Sequence, residues 1–431
     1  MRATPSRAVL ALTLAFGLYG AIPVQAADAP AAAASQPANV VRAVFAAPFN
    51  AAQELVKAGK GPEALAKLKE VAALPDLTPY EQYLIVRVRA PAEYTAGDMA
   101  AAAADFDKLL SSDQLPAADR MPILHAYAQL LYSNQQYDKA QVWMQRYIDA
   151  GGDDPQMREL LPQTYYINKD YAGAAKLFKT QVDAFYAAGK TPPEKTLRLL
   201  ASSLTQAGDD AGYLAALEHL AVDYPKADYW KELVARAGHA DKFADRLYVD
   251  FYRLKTATLG QVSDSERLTY ASLASRAGFP SEAKRVLDDG FTNKAFAGAD
   301  LGEATKLRDQ ATRGAAQDKS QLGASENSAK ASKDGNALVG QGLLEALDGD
   351  AARGAALIEQ GIAKGGLKYA EDARLHLGMA QLRAGRNTEA LKTFQSVNGA
   401  DGLGALAHVW TLYAQSQIKA AAAPAAPVAT K

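Results

Sequence analysis

Apolar residues recur along most of this chain in alternating steps of three and four. Leu124, Tyr127, Ala128 and Leu131 make one such stripe, and Leu161 with Tyr165 belongs to another. That spacing places side chains on a single face of an α-helix. The stripes stop at 75–79, 111–116, 151–155 and 189–193, where Gly or Pro follows a helical pattern, the expected punctuation between antiparallel helices. A shorter grammar is laid over the stripes: a turn glycine, a small residue five positions on, and a bulky apolar residue four beyond that. Gly97, Ala102 and Phe106 fit it, as do Gly278, Ala283 and Leu287, and Gly385, Ala390 and Phe394. Weaker copies centre on Ala64 with Leu68, on Gly208 with Leu217, and on Gly349, Gly354 and Ile358. The small residue marks the closest approach of two helices, so the pattern predicts an all-α chain of helical hairpins. No single hairpin buries its own apolar face, and stacking on neighbours completes the core.

The strongest copies are two stretches, QLLYSNQQYDKA from Gln129 to Ala140 and QTYYINKDYAGA from Gln163 to Ala174. Tyr132 matches Tyr166, Asn134 matches Asn168, Tyr137 matches Tyr171 and Ala140 matches Ala174, each at an offset of 34 residues. In this register Met144 and Phe178 are the bulky partners, and Leu377-Gly378 precedes the hairpin centred on Ala390. The chain therefore resembles the tetratricopeptide (TPR) repeat family, whose period is about 34 residues. The resemblance spans most of 50–415 and is specific at 121–180 and 370–396. It departs from the family pattern in lacking the Trp at the fourth position and, often, the closing Pro. It implies an α-solenoid of about eight TPR-like hairpins that holds a protein or peptide in a concave groove. One hairpin, between Trp230 and Leu259, is degenerate, and the aromatic run LYVDFYRL within it reads as a buried helix because Leu247, Phe251 and Leu254 share a face.

The rest of the chain divides by composition. Residues 1–26 have the pattern of a secretory signal peptide, with Arg2 and Arg7 ahead of the apolar run Ala8 to Ile22 and Val24-Gln25-Ala26 before the cut. Residues 27–39 are an Ala/Pro-rich tether, 40–312 the solenoid, 313–335 a polar segment read as a flexible linker, 336–419 two further hairpins and a helix that caps the open end, and 420–431 a disordered tail. Export points to a bacterial periplasm. With no Cys in the chain, neither a disulfide nor a lipid-modified N-terminal Cys is available, and no second apolar run has membrane length.

Charge and motifs then narrow the chemistry. The 47 basic residues balance 48 acidic ones, and removal of the leader leaves a net charge near −3 without a basic stripe, which disfavours nucleic acid. AAGKT near Gly189 lacks the first glycine of a P-loop and reads as a helix end. His125, His219, His239, His376 and His408 are scattered without metal-ligand spacing. The acidic pairs Asp209-Asp210 and Asp288-Asp289 read as cap and turn chemistry. Asn134 and Asn168 read as turn residues, and Tyr137 and Tyr171 as structural. No G-x-S-x-G motif occurs, and the Glu-Ser motif of superhelical muramidases is missing. The expectation is a non-enzymatic protein with no cofactor and no metal.

The TPR resemblance implies that outward positions of each first helix line the groove. These are His125, Gln129 and Tyr132, then Glu159, Gln163 and Tyr166, then Lys195 and Arg198. Tyr and Gln suit a peptide backbone, and the two cations suit a carboxylate. The implied function is a periplasmic scaffold for a protein or peptide, loosely similar to accessory TPR proteins of TonB-type energy-coupling systems. A peptidoglycan- or solute-binding solenoid is the alternative.

Overall fold

The computed structural model describes residues 24–25 and 40–422. The leader, apart from a two-residue parallel pairing of Val24–Gln25 with Val41–Arg42, lies outside the described residues, as do 27–39 and 423–431; 420–422 continue the last helix. The architecture is an all-α, TPR-like solenoid organised as two compact units, which meet in sequence at Lys179 and Thr180.

The first unit contains α1 (Ala43–Lys57), α2 (Gly61–Ala72), α3 (Pro79–Ala96), α4 (Met99–Leu110), α5 (Ala117–Ser133), α6 (Tyr137–Asp149), α7 (Pro155–Ile167) and the first half of α8 (Tyr171–Ala187). From α1 to α7, each helix packs on the next. The small residues Ala64, Ala102, Ala140 and Ala174 are all fully buried, and Leu68, Phe106, Met144 and Phe178 fill the space beside them. Five residues before each of these alanines the backbone takes the left-handed conformation, at Gly59, Gly97, Gln135 and Lys169. Glycine adopts it freely, whereas Gln135 and Lys169 hold it at a cost of about 1–2 kcal/mol each. Each of α1, α3, α5 and α7 also carries an interior proline, Pro48, Pro91, Pro122 and Pro162, which removes a helical hydrogen bond and bends the helix.

The second unit continues from α8 with α9 (Glu194–Ala207), α10 (Asp210–Asp223), α11 (Ala227–Gly238), a 3-10 turn at Asp245–Leu247, α12 (Tyr248–Leu259), α13 (Asp264–Arg276), α14 (Pro280–Thr292), α15 (Gly298–Ala331), α16 (Asn336–Asp348), α17 (Ala351–Lys364), α18 (Ala370–Arg383), α19 (Asn387–Gln395) and α20 (Leu403–Ala422). The grammar holds here too. Ala283, Gly354 and Ala390 are buried, with left-handed Gly278, Gly349 and Gly385 five positions earlier. Gly354 is needed for contact: a Cβ there would lie 2.3 Å from the Gly342 carbonyl oxygen, so α16 and α17 pack backbone to backbone. LYVDFYRL is helical, a 3-10 turn at Leu247 leading into α12; Leu247 and Leu254 are fully buried as its pattern predicts, whereas Phe251, expected on the same buried face, is only partly buried.

Two expectations are corrected. The polar segment 313–335 is not a linker along most of its length, because α15 runs unbroken to Ala331. It has few large apolar side chains to bury, and α15 packs instead through small ones: Ala304 and Ala311 ahead of the segment and Ala329 within it are buried, and Gly314 lies against Pro280. Glu326 on α15 pairs with Arg353 of α17 and, at 2.6 Å, with Lys330. The final helix is likewise no terminal cap. It packs on α18 and α19 and returns to α10, α11 and α12, so that Trp230, Leu233 and Leu254 share one apolar core with Phe394, Leu406 and Trp410.

Candidate partner-binding surface

Between Ile123 and Tyr132 of α5 every side chain is buried except one strip. Ile123, Leu124, Ala126, Tyr127, Ala128, Leu130 and Leu131 are inside, whereas His125, Gln129 and Tyr132 remain partly accessible. The three lie four and three residues apart and so line up along the helix. On α7, Met157, Leu161 and Thr164 are buried, while Glu159 is exposed and Gln163 and Tyr166 are partly accessible. The two stripes repeat in the 34-residue register and remain accessible beside the buried faces of their helices.

Each stripe ends in a pair of tyrosines across the hairpin turn. The Tyr132 ring meets the Tyr137 ring edge-on at 5.4 Å and 74°, and Tyr166 meets Tyr171 at 5.3 Å and 70°. Edge-to-face contact at these separations is the favoured aromatic geometry. All four rings are half-buried, so each keeps part of its surface accessible. Burial, followed by the nearby Tyr137 and Glu159, raises the Tyr132 phenol above its ordinary pKa, which keeps it a neutral donor. Tyr137 and Tyr171 are therefore members of the surface as well as of the hairpin. Their structural role, expected from the sequence, is to hold the Tyr132 and Tyr166 rings edge-on.

The neighbouring polar groups hold the stripes in place. His125 Nε2 lies 3.3 Å from Asp154, whose other oxygen accepts the backbone N–H of Met157 and so caps α7. Gln163 donates to the Glu159 carbonyl at 3.1 Å. Asn168 does more than turn the chain: its amide donates to the Tyr137 carbonyl at 3.0 Å and to Gln141 at 2.7 Å, tying one repeat to the one before. Lys195 and Arg198 are exposed on α9 in the second unit.

The chemistry expected to be bland is so in part. Asp209 caps α10 by accepting from Gly212 at 2.8 Å, and Gly189 ends α8 with φ +66°. Asp288 and Asp289 depart from the turn reading, since they lie in the last turns of α14, where Lys284 and Arg267 pair with them. Among the described residues no cluster of acidic residues, His or Cys is arranged to hold a metal ion, and no helix is long and apolar enough to cross a membrane.

Sequence inspection missed a buried charged network in the second unit. Arg253 donates to Asp250 at 2.7 Å and to both oxygens of Glu282, Tyr270 donates to Glu282 at 2.8 Å, and His376 Nε2 lies 3.0 Å from Asp250. Burial pushes the Asp250 carboxyl up, but His376 and Arg253 outweigh it and hold the pKa down at about 2. The pattern of LYVDFYRL says nothing of where its charged residues go, and only a partner 29 residues away, Glu282, accounts for Arg253 inside.

Two solved structures are similar to the chain. One, the structure of Naa15/Naa10 bound to HypK-THB, matches at 17% identity and a TM-score of 0.29 over 80% of this chain. This chain spans 62% of the length of that one. The other, the crystal structure of yeast Tom70, matches at 12% identity and a TM-score of 0.20, over 87% of this chain and 97% of that one. No family model and no curated protein matches the sequence.

Proposed function

We propose that the protein is a non-enzymatic scaffold that binds a protein or peptide segment across the repeated stripes of α5 and α7. The observation that carries this reading is the duplicated edge-to-face pair, Tyr132 with Tyr137 and Tyr166 with Tyr171, each half-buried at the end of an accessible stripe that also holds a glutamine. Rigid aromatic rings supply contact area at low entropic cost, and amide side chains pair with a peptide backbone. A 34-residue repeat of the same elements suits an extended partner that crosses successive hairpins. Lys195 and Arg198, exposed on α9 of the second unit, are by themselves suited to an acidic group. The leader-like residues 1–26 support a periplasmic location, and an accessory role in a cell-envelope complex, such as a TonB-type system, fits a periplasmic repeat scaffold.

The test is site-specific photocrosslinking in cells, with the photoreactive residue at position 132 or 166 and, as a control, at exposed Tyr369 of the second unit. The expected result is one discrete protein adduct shared by 132 and 166, missing at 369, and lost when Gln129 and Gln163 are both replaced by Ala. Adducts that are the same at all three positions, or none at 132 and 166, overturn the reading.

A further inference from the structure

Within the second unit, α12, α13, α14, α18 and α20 surround an open-sided cavity of about 560 Å³. Ligand sites for small molecules usually have volumes of about 300–1,000 Å³. From α20, Trp410, Tyr413 and Gln417 line one side, spaced three and four residues apart on a single helical face. Met379 and Leu382 of α18 and Val286 of α14 add apolar wall. The Trp410 ring is locked by stacking on Phe394 at 5.6 Å and by edge contact with Tyr413 at 5.8 Å. Its indole nitrogen is buried without a hydrogen-bond partner.

Four arginines line the same cavity, and their charges are balanced differently. Arg253 is bound by Asp250 and Glu282, and Arg267 by Asp264 and Asp289. Arg285 pairs with Asp348 at 3.1 Å. Arg383 has no carboxylate partner among the described residues. Its Nε donates to the Ala346 carbonyl at 2.8 Å and its Nη2 to the Leu347 carbonyl at 3.2 Å, the last turn of α16. Capping that helix accounts for two of its five N–H donors. The side chain nevertheless remains solvent-exposed where it lines the cavity. Partial burial of the guanidinium, and then the neighbouring Arg285, push its pKa down against Glu282 and Asp348.

We propose that this cavity binds a small amphipathic monoanion, an aryl- or alkyl-carboxylate, with its carboxylate on Arg383 and Arg285 and its apolar body against Trp410, Tyr413 and Met379. One guanidinium without an acidic partner matches one negative charge. A second charge on the ligand would meet Glu282 and Asp289, which also line the cavity. The planar guanidinium fork suits a carboxylate, which accepts two parallel N–H bonds. The site lies wholly in the second unit and does not depend on the tyrosine surface of the first.

The test is isothermal titration of the full-length protein with 4-phenylbutyrate and octanoate, beside the neutral alcohols 4-phenylbutanol and octanol. Both carboxylates are expected to bind at least about tenfold more tightly than their alcohols, the size of one charge-assisted hydrogen bond. Arg383→Gln and Arg285→Gln are each expected to remove that preference. Arg285 is exposed and pairs only with Asp348, so R285Q keeps the fold even if loss of the α16 cap disturbs R383Q; circular dichroism and the melting temperature check both. Carboxylates that bind no better than alcohols, that bind R285Q as tightly as the wild type, or that do not bind at millimolar concentration overturn the proposal.

Discussion

The first unit buries Glu81 and Asp105 against arginines that reach solvent. Glu81 forms a capping box with Thr78 and pairs with Arg42 at 2.8 Å, and Asp105 pairs with Arg89; both arginines are about one-third exposed. In the second unit Asp250, Arg253 and Glu282 are each at least nine-tenths buried and depend on one another. The same hairpin grammar thus carries two electrostatic designs. A half-exposed pair is screened and costs little to break, whereas in a fully buried network the loss of one member strands the others.

The sharpest test of that difference is to remove the central cation. Arg253→Met leaves Asp250 and Glu282 without their shared partner and is expected to destabilise the second unit by about 3–5 kcal/mol. The corresponding Arg89→Met in the first unit is expected to cost about 1 kcal/mol. Urea titrations followed by tryptophan fluorescence separate the two, because Trp143 reports the first unit and a Trp143→Phe variant leaves only Trp230 and Trp410 in the second. Equal losses would erase the distinction.

The pH dependence should run in opposite directions. Asp250 is held at about 2, below its unfolded value, so its contribution is complete above pH ~4 and is lost as pH falls towards 2; over that shift of nearly two units it amounts to about 2.5 kcal/mol. Glu93 in the first unit behaves in the reverse way. Burial, then the Asp105 charge, raises its carboxyl to about 7 in spite of Arg89, and one of its oxygens has no hydrogen-bond partner. The folded state then holds a proton that the unfolded chain releases near pH 4.5, so the first unit loses stability as pH rises from about 4.5 to 7. Glu93→Gln is expected to flatten that slope and to add about 1–2 kcal/mol at pH 8, read from melting temperatures between pH 5 and 8. A slope that survives E93Q would assign it to another group.

The smallest effect sought concerns the turns. Gln135→Gly and Lys169→Gly relieve a left-handed backbone and are each expected to stabilise the first unit by about 1 kcal/mol. Gly97→Ala and Gly278→Ala at equivalent turns, where glycine already stands, are expected to cost about the same. Chemical denaturation of the four variants checks both signs. A destabilised Q135G or K169G would mean that the side chain, rather than the backbone, is what that turn needs.

Much of the hairpin architecture was legible in the sequence. Ala102, Ala140, Ala174, Ala283 and Ala390 were recognisable as contact points because a helix pair approaches closely only over a small side chain, and this demand is local and periodic. The stripes through Tyr132 and Tyr166 were legible for the same reason, although whether they bind a partner is a separate matter. The path of 313–331 was not legible, since a helix that packs through alanine and glycine lacks the large apolar residues by which a buried face is recognised. The tyrosine pairs were half read, because repetition revealed Tyr137 and Tyr171 without telling how much of each ring stays outside.

By itself the sequence determined the all-α class, the hairpin register and the turn positions, all set by interactions between residues a few positions to one repeat apart. Only the tertiary structure decided that α20 returns to pack against α10, α11 and α12, that Arg253 lies inside the protein, and that Arg383 faces a cavity without an acidic partner. Those outcomes depend on contacts across as many as 228 residues, such as Lys419 with Thr191. No local period encodes them, because the energy of burying a charge or an apolar face is set by whatever the rest of the chain brings against it.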